Sequence, residues 1–207
     1  MTIKALLDTL SNELVDPRNA FWSRESLMDY INQALSMIII LLPQEGRQQR
    51  TFDVTDGTVQ APAKAVSLLS ADMAGNRALS FVDINKLNQL DPGWRTKTGQ
   101  PSVWTQASGQ YLSYELFPRP DSAVTVTDAW SVRPSVTDET EVLPINEVYL
   151  PAVIDFVMYR AYGKDGQDQS NLNKSMLHFQ AFDAAMGGKA KRYMQRNHER
   201  DIKEAKR

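Results

Sequence analysis

Apolar residues recur every three or four positions at both ends of the chain and every second position in its middle. Ile3, Leu6, Leu7, Leu10 and Leu14 line one side of a first helix, with Thr2 as its N-cap. That helix stops at Asp16-Pro17, where proline removes a donor and restricts the residue before it. A second helix starts at Ser23. Trp22 precedes the cap and Leu27 takes the fourth helical position, the arrangement of a hydrophobic staple. Its buried stripe is Leu27, Ile31, Ala34, Leu35, Ile38 and Leu42, and Pro43 and Gly46 end it.

From Arg50 the period falls to two. Thr51 to Thr55 and Thr58 to Ala61 flank Asp56-Gly57, which predicts a tight hairpin, because Asp-Gly supplies the positive φ angles that two-residue turns require. Ala65 to Ala71 reads as a strand, Ala74-Gly75-Asn76 as a turn and Arg77 to Val82 as the returning strand. Asp83 caps a short helix to Leu90, ended by Asp91-Pro92-Gly93. Pro101 to Ala107 and Gln110 to Phe117 form another hairpin about Ser108-Gly109, with Trp104, Tyr111, Tyr114 and Phe117 as packing groups. Val124, Val126, Asp128, Trp130 and Val132 alternate along a last strand, and an acidic loop from Thr137 to Glu141 follows.

The helical period returns at about Asn146. Val148, Ala152, Phe156 and Tyr159 share one face up to Tyr162, while Val153, Ile154, Val157, Met158 and Ala161 fill most of the rest. A segment apolar nearly all round is predicted to be buried among other elements. Asp155 and Arg160 do not share a face, so each is expected to pair with a group on another helix. After a polar turn from Gly163 to Ser170, a second helix carries Leu172, Met176, Phe179, Phe182, Met186, Ala190, Tyr193 and Met194 as its stripe. Gly187-Gly188 within it either ends the helix or forms a hinge before a basic segment.

Two helices, about six short strands and two more helices predict an α+β chain. Its expected form is a four-helix core from the N- and C-terminal helix pairs, an inserted antiparallel β-rich region and an extended basic C-terminal tail. The predicted divisions are 1–46 for the first helix pair, 47–142 for the β-rich insertion, 143–196 for the C-terminal hairpin and 197–207 for the tail.

Charge singles out that tail. The chain of 207 residues has a net charge of −2. From Gly187 onward, however, eight cations (Lys189, Lys191, Arg192, Arg196, Arg200, Lys203, Lys206 and Arg207) face three anions (Glu199, Asp201 and Glu204), a local net of +5. An overall acidic balance argues against a protein that coats nucleic acid over its whole surface. With no cysteine there is no disulfide, thiol nucleophile or thiolate metal site, and two histidines are too few for most zinc sites. The N-terminus reads as an acidic-containing helix rather than a leader, and the longest apolar run is Met37 to Leu42, so a soluble protein is expected.

Motif chemistry is sparse. Gly163-Lys164 and Gly187-Gly188-Lys189 both fail the phosphate-loop pattern, and no nucleophile elbow or paired-histidine metal motif occurs. His178 is expected as a partly buried or surface histidine, since acid–base work also needs a positioned partner. Asp138, Glu139 and Glu141 lack the glycine and spaced oxygens of a calcium loop and are expected to form a solvated turn. No catalytic, cofactor-binding or metal residue is assigned.

The run Leu150-Pro151-Ala152-Val153-Ile154-Asp155-Phe156-Val157-Met158-Tyr159-Arg160-Ala161-Tyr162, followed by His178-Phe179-Gln180-Ala181-Phe182, resembles the C-terminal hairpin of the head-to-tail adaptor (connector) proteins of tailed bacteriophages. Trp22 to Leu27 with Tyr30 to Ala34 resembles their early helix. Leu116-Phe117-Pro118-Arg119-Pro120 followed by Trp130-Ser131-Val132-Arg133-Pro134 resembles their strand–proline signature. The resemblance implies a structural virion protein of the head–tail junction, made in the host cytoplasm and not an enzyme. It implies a ring, commonly of twelve copies, between the portal and the tail tube or nozzle, with genomic DNA passing through the lumen without sequence-specific binding and no cofactor. It also implies a C-terminal segment that grips the portal, which makes Arg192, Arg196, Arg200, Lys203, Lys206 and Arg207 the expected portal-binding residues. Two other readings stay open: a nucleic-acid-binding protein using the basic C-terminal helix, and a small enzyme built from scattered residues.

Overall fold

The computed structural model describes residues 1–164 and 168–205, with side chains described up to position 191. The described residues are mixed α+β. The helices are α1 (Ile3–Glu13), α2 (Arg24–Leu41), α3 (Ile84–Leu90), α4 (Leu150–Lys164) and α5 (Gln169–Ala205). Two compact units result, one from Met1–Glu45 with Pro134–Arg207 and the other from Gly46–Arg133.

In the helical unit the expected caps form. Thr2 Oγ1 accepts the Ala5 N–H at 3.3 Å, and Ser23 Oγ accepts that of Ser26. One apolar cluster gathers Leu6, Leu10, Ile31, Leu35, Val153, Val157, Phe182 and Met186, so α1, α2, α4 and α5 all contribute to it. The acidic loop is more than a solvated turn. Its Glu141 and Glu139 carbonyls accept the Ile3 and Lys4 N–H groups at 2.8 Å, satisfying first-turn donors that have no partner within α1. The Glu139 carboxylate holds Arg24 through Nε and Nη2, both at 2.7 Å, while Arg24 Nη1 reaches Asp8 at 2.8 Å.

Two stripe assignments shift. Val148 is 60% exposed, because it lies in a 3-10 turn (Glu147–Tyr149) whose tighter winding carries it off the α4 face. Tyr149 is buried in its place and donates to Glu45 Oε1. Among the described side chains of α5 the buried positions are Ser175, Phe182, Met186 and Ala190, while Met176 and Phe179 are exposed; the expected stripe residues Tyr193 and Met194 lie outside the described side chains. The first turns of α5 dock through polar groups, so a stripe drawn from apolarity alone falls one position away. Nor does α5 end at Gly187-Gly188; the helix runs through both to Ala205.

The β unit has eight strands rather than six: β1 (Arg47–Val54), β2 (Thr58–Gln60), β3 (Ala65–Ala74), β4 (Arg77–Ala78), β5 (Ser80–Phe81), β6 (Val103–Thr105), β7 (Ser113–Phe117) and β8 (Val124–Val132). They form two four-stranded sheets, ordered β1-β8-β3-β4 and β2-β7-β6-β5. The expected hairpin about Asp56-Gly57 does not form. β1 pairs along its whole length with β8, and β2 pairs with β7. Gly57 is not among the positive-φ residues. Its service is space, because a Cβ there would lie 2.6 Å from Arg119 Cγ, whose guanidinium pairs with Asp56.

The segment from Arg77 to Val82 is not one strand. β4 pairs with β3, the chain crosses at Leu79, and β5 joins the second sheet parallel to β6. β6 and β7 pair antiparallel as expected, but across a seven-residue connection, residues 106–112, in which Tyr111 is 66% exposed rather than packed. Val54, Ala71, Val126 and Trp130 of one sheet share a core with Val59, Tyr114 and Leu116 of the other. Asp128, fully buried on β8, receives Arg50 Nε at 2.7 Å, Arg50 Nη2 at 2.9 Å and the Tyr114 hydroxyl at 3.2 Å. Burial and the adjacent carboxylate push the Tyr114 hydroxyl far up, so it stays a donor.

Candidate docking surface

The α4–α5 hairpin is held by a mixture of rings and polar contacts. Phe156 meets Phe182 at 5.2 Å between centroids, and Tyr159 meets Phe179 at 5.1 Å. His178 Nδ1 lies 2.9 Å from Asp155 Oδ1, and its ring stacks on Tyr162 at 5.9 Å. Asp155 thus finds its partner on a neighbouring helix, as expected for a carboxylate in an apolar segment. Arg160 instead lies over the Tyr30 ring of α2 at 5.6 Å.

Ser175, His178 and Asp155 are the residue types of a hydrolytic triad, but the geometry is not that of one. The Ser175 hydroxyl donates to the Tyr159 carbonyl at 2.9 Å and is buried, so its proton is committed to the backbone. Among the described residues, no group of three or more His, Asp or Glu side chains could hold a metal ion. No described helix is long and apolar enough to cross a membrane.

Further along α5, Lys189 Nζ sits 4.2 Å from the centre of the Tyr149 ring. Burial, with the Glu45 carboxylate beside it, pushes the Tyr149 hydroxyl up to about 12. Beyond this anchor the helix continues through the basic segment. Arg192, Arg196, Arg200 and Lys203 are spaced by four, four and three along α5, while Lys206 and Arg207 lie outside the described residues.

Sequence reasoning missed a second cationic feature, at the other end of the hairpin. Lys164 Nζ lies 5.0 Å over Phe21 and donates to the Phe21 carbonyl, and Lys174 lies 5.1 Å over Tyr162. Phe21, Trp22 and Tyr162 form a continuous series of edge contacts. Arg160 and Lys164 also line a cleft of about 250 Å³ with Tyr30, Tyr159 and Gly163. Phe21 and Tyr162 are distant in sequence, so no local spacing announces this cluster.

A family model described as SU10 adaptor protein matches residues 1–201. The chain belongs to the SU10 adaptor protein family. That agrees with the resemblance to phage head-to-tail adaptors and covers both units. No curated protein matches the chain. The match makes the protein a structural phage adaptor and thus a component of the virion. In this adaptor, α5 carries the basic end of the sequence, and the hairpin contacts fix its first half.

Proposed function

We propose that the adaptor assembles as a ring, of twelve copies in the usual arrangement, joining the portal to the tail tube or nozzle around the DNA exit channel. The helices of the N- and C-terminal pairs form the four-helix body of each copy. The basic end of α5 docks on the portal through Arg192, Arg196, Arg200, Lys203, Lys206 and Arg207. Genomic DNA passes through the lumen without sequence-specific contact, and no catalysis is involved.

The observation that carries this reading is the continuation of α5 past Ala190, the last buried residue with a described side chain, into a segment of concentrated positive charge. From Asn197 onward the sequence offers only Ile202 and Ala205 as apolar residues, so the charged end is fitted to an acidic partner groove rather than to a core of its own copy.

Co-sedimentation with the portal of the same virus tests the reading. The whole chain is expected to join the portal in a large complex of fixed stoichiometry. Deletion of residues 197–207 is expected to leave thermal unfolding of the rest unchanged and to abolish attachment. Attachment that survives the deletion would sink the assignment of the tail.

A further inference from the structure

Two exposed helix faces of the helical unit are complementary in both chemistry and length. On α2, Glu25, Asp29, Ser36 and Ile40 fall within one third of the helix circumference, with Met37 beside them. Glu25 and Asp29 are exposed and have no ion-pair partner among the described residues. Ile40 is 54% exposed and Met37 37%. This face is acidic at its N-terminal end and apolar at its C-terminal end.

On α5, Leu177, Ala181, Ala184, Gly188 and Lys191 likewise share one face, turned away from the buried Ser175, Phe182 and Met186. Leu177 is 64% exposed, Met176 beside it is 61% exposed, and the exposed Lys191 has no ion-pair partner among the described residues. This face is apolar at its N-terminal end and basic at its C-terminal end. At 1.5 Å per residue, Glu25 to Ile40 spans about 22 Å and Leu177 to Lys191 about 21 Å.

We propose that these faces bind each other between copies, with α5 of one chain lying antiparallel on α2 of the next. Antiparallel placement brings Leu177 against Ile40, and Lys191 against Glu25 and Asp29. A parallel placement would set Leu177 against carboxylates and Lys191 against Ile40. The same logic rejects self-pairing. Two α5 faces in antiparallel register would oppose Leu177 with Lys191, and two α2 faces would oppose Ile40 with Glu25. The contact is therefore heterologous, each copy using one face toward one neighbour and the other toward the next, which propagates into a ring if the rotation closes. The alanines and glycine between the two ends let the helices approach closely.

The proposal deepens the ring reading above by naming the contact that joins copies. The absence of any cysteine in the chain makes a clean test possible. The purified Ile40→Cys/Leu177→Cys protein, oxidised at high concentration, is expected to give a ladder of disulfide-linked multimers on non-reducing gels. Each single cysteine variant is expected to give none, because like faces do not meet. In parallel, Glu25→Lys/Asp29→Lys and Lys191→Glu should each weaken self-association by about tenfold or more, and the combined variant should recover it.

A double-cysteine protein that stays monomeric, dimers from either single variant, or a charge combination that fails to restore association would overturn the contact. All the substitutions are at exposed positions, and circular dichroism checks that each variant is folded. Portal co-sedimentation of the same samples separates the two ideas. Portal binding without the ladder rejects this contact and keeps the portal docking proposed above, whereas the ladder without portal binding keeps the contact and rejects that docking.

Discussion

At the scale of single residues, Asp128 makes the greatest demand. A carboxylate removed from water must be matched, and Arg50 matches both oxygens while Tyr114 adds a third hydrogen bond. Replacing Arg50 with Met would leave that charge uncompensated. The expected loss is about 3–5 kcal/mol, read by urea unfolding followed through Trp94, Trp104 and Trp130. Adding Asp128→Asn to the same chain should recover much of it, since the buried group is then neutral. The alternation that places Asp128 on the core face is legible in the sequence. Its partners are not, because Arg50 and Tyr114 reach it only through strand pairings between distant segments. Lys164 and Lys174 were hidden for the same reason, each resting on a ring supplied by another part of the chain.

At the scale of elements, the helices were readable because their determinants are local: a cap, a period, a proline. The strands were less so. Asp56-Gly57 carries a strong local turn signal, yet the eight-residue pairing of β1 with β8 outweighs it and places its two flanks in different sheets. Gly187 shows the converse, a local weakness that the helix absorbs. A Cβ there would meet only Asp183 Oδ1 at 3.9 Å, so Gly187→Ala should stabilise α5 by about 1 kcal/mol. That corresponds to a rise in Tm of about 2–4 °C in a calorimetric scan, and an unchanged or lower Tm would show that the glycine is needed as such.

The loop that caps α1 is an electrostatic element as well. Hydrogen bonding to Arg24 holds the Glu139 carboxyl below its ordinary value, and Arg24 with Lys4 does the same for Asp8. Because the folded values are depressed, this stabilisation is complete above the ordinary values of 4.5 and 3.8 and is lost as pH falls through the lower folded ones. Acid unfolding below about pH 4 should therefore be steeper in the native protein than in Arg24→Met. Matching slopes in the two proteins would show that the pairs contribute nothing.

At the scale of the whole molecule, the α+β class and the family are secure, and the charge asymmetry that directs attention to α5 is already present in the sequence. Other features appear only when the elements are assembled: which α5 positions face inward, and that the uncovered faces of α2 and α5 match in polarity and span. Stripe reading finds a helix face by its apolarity. Here part of the inward face is Ser175 and His178, and part of the outward face is Leu177, so the two are told apart only by their neighbours.

The capping of α1 by carbonyls of Glu139 and Glu141 bears on the order in which the newly made chain takes shape. A ribosome delivers α1 and α2 first, yet the groups that satisfy the start of α1 emerge only after the entire β unit has been synthesised. At about 5–20 residues per second, that delay is on the order of ten seconds. The β unit is a single continuous stretch and has all its own strands in hand before then. It can close while the first two helices still expose Leu6, Leu10, Ile31 and Leu35 to whatever holds nascent chains in the cell. The segment that follows the β unit then completes the helical core and carries the charged end of α5 with it.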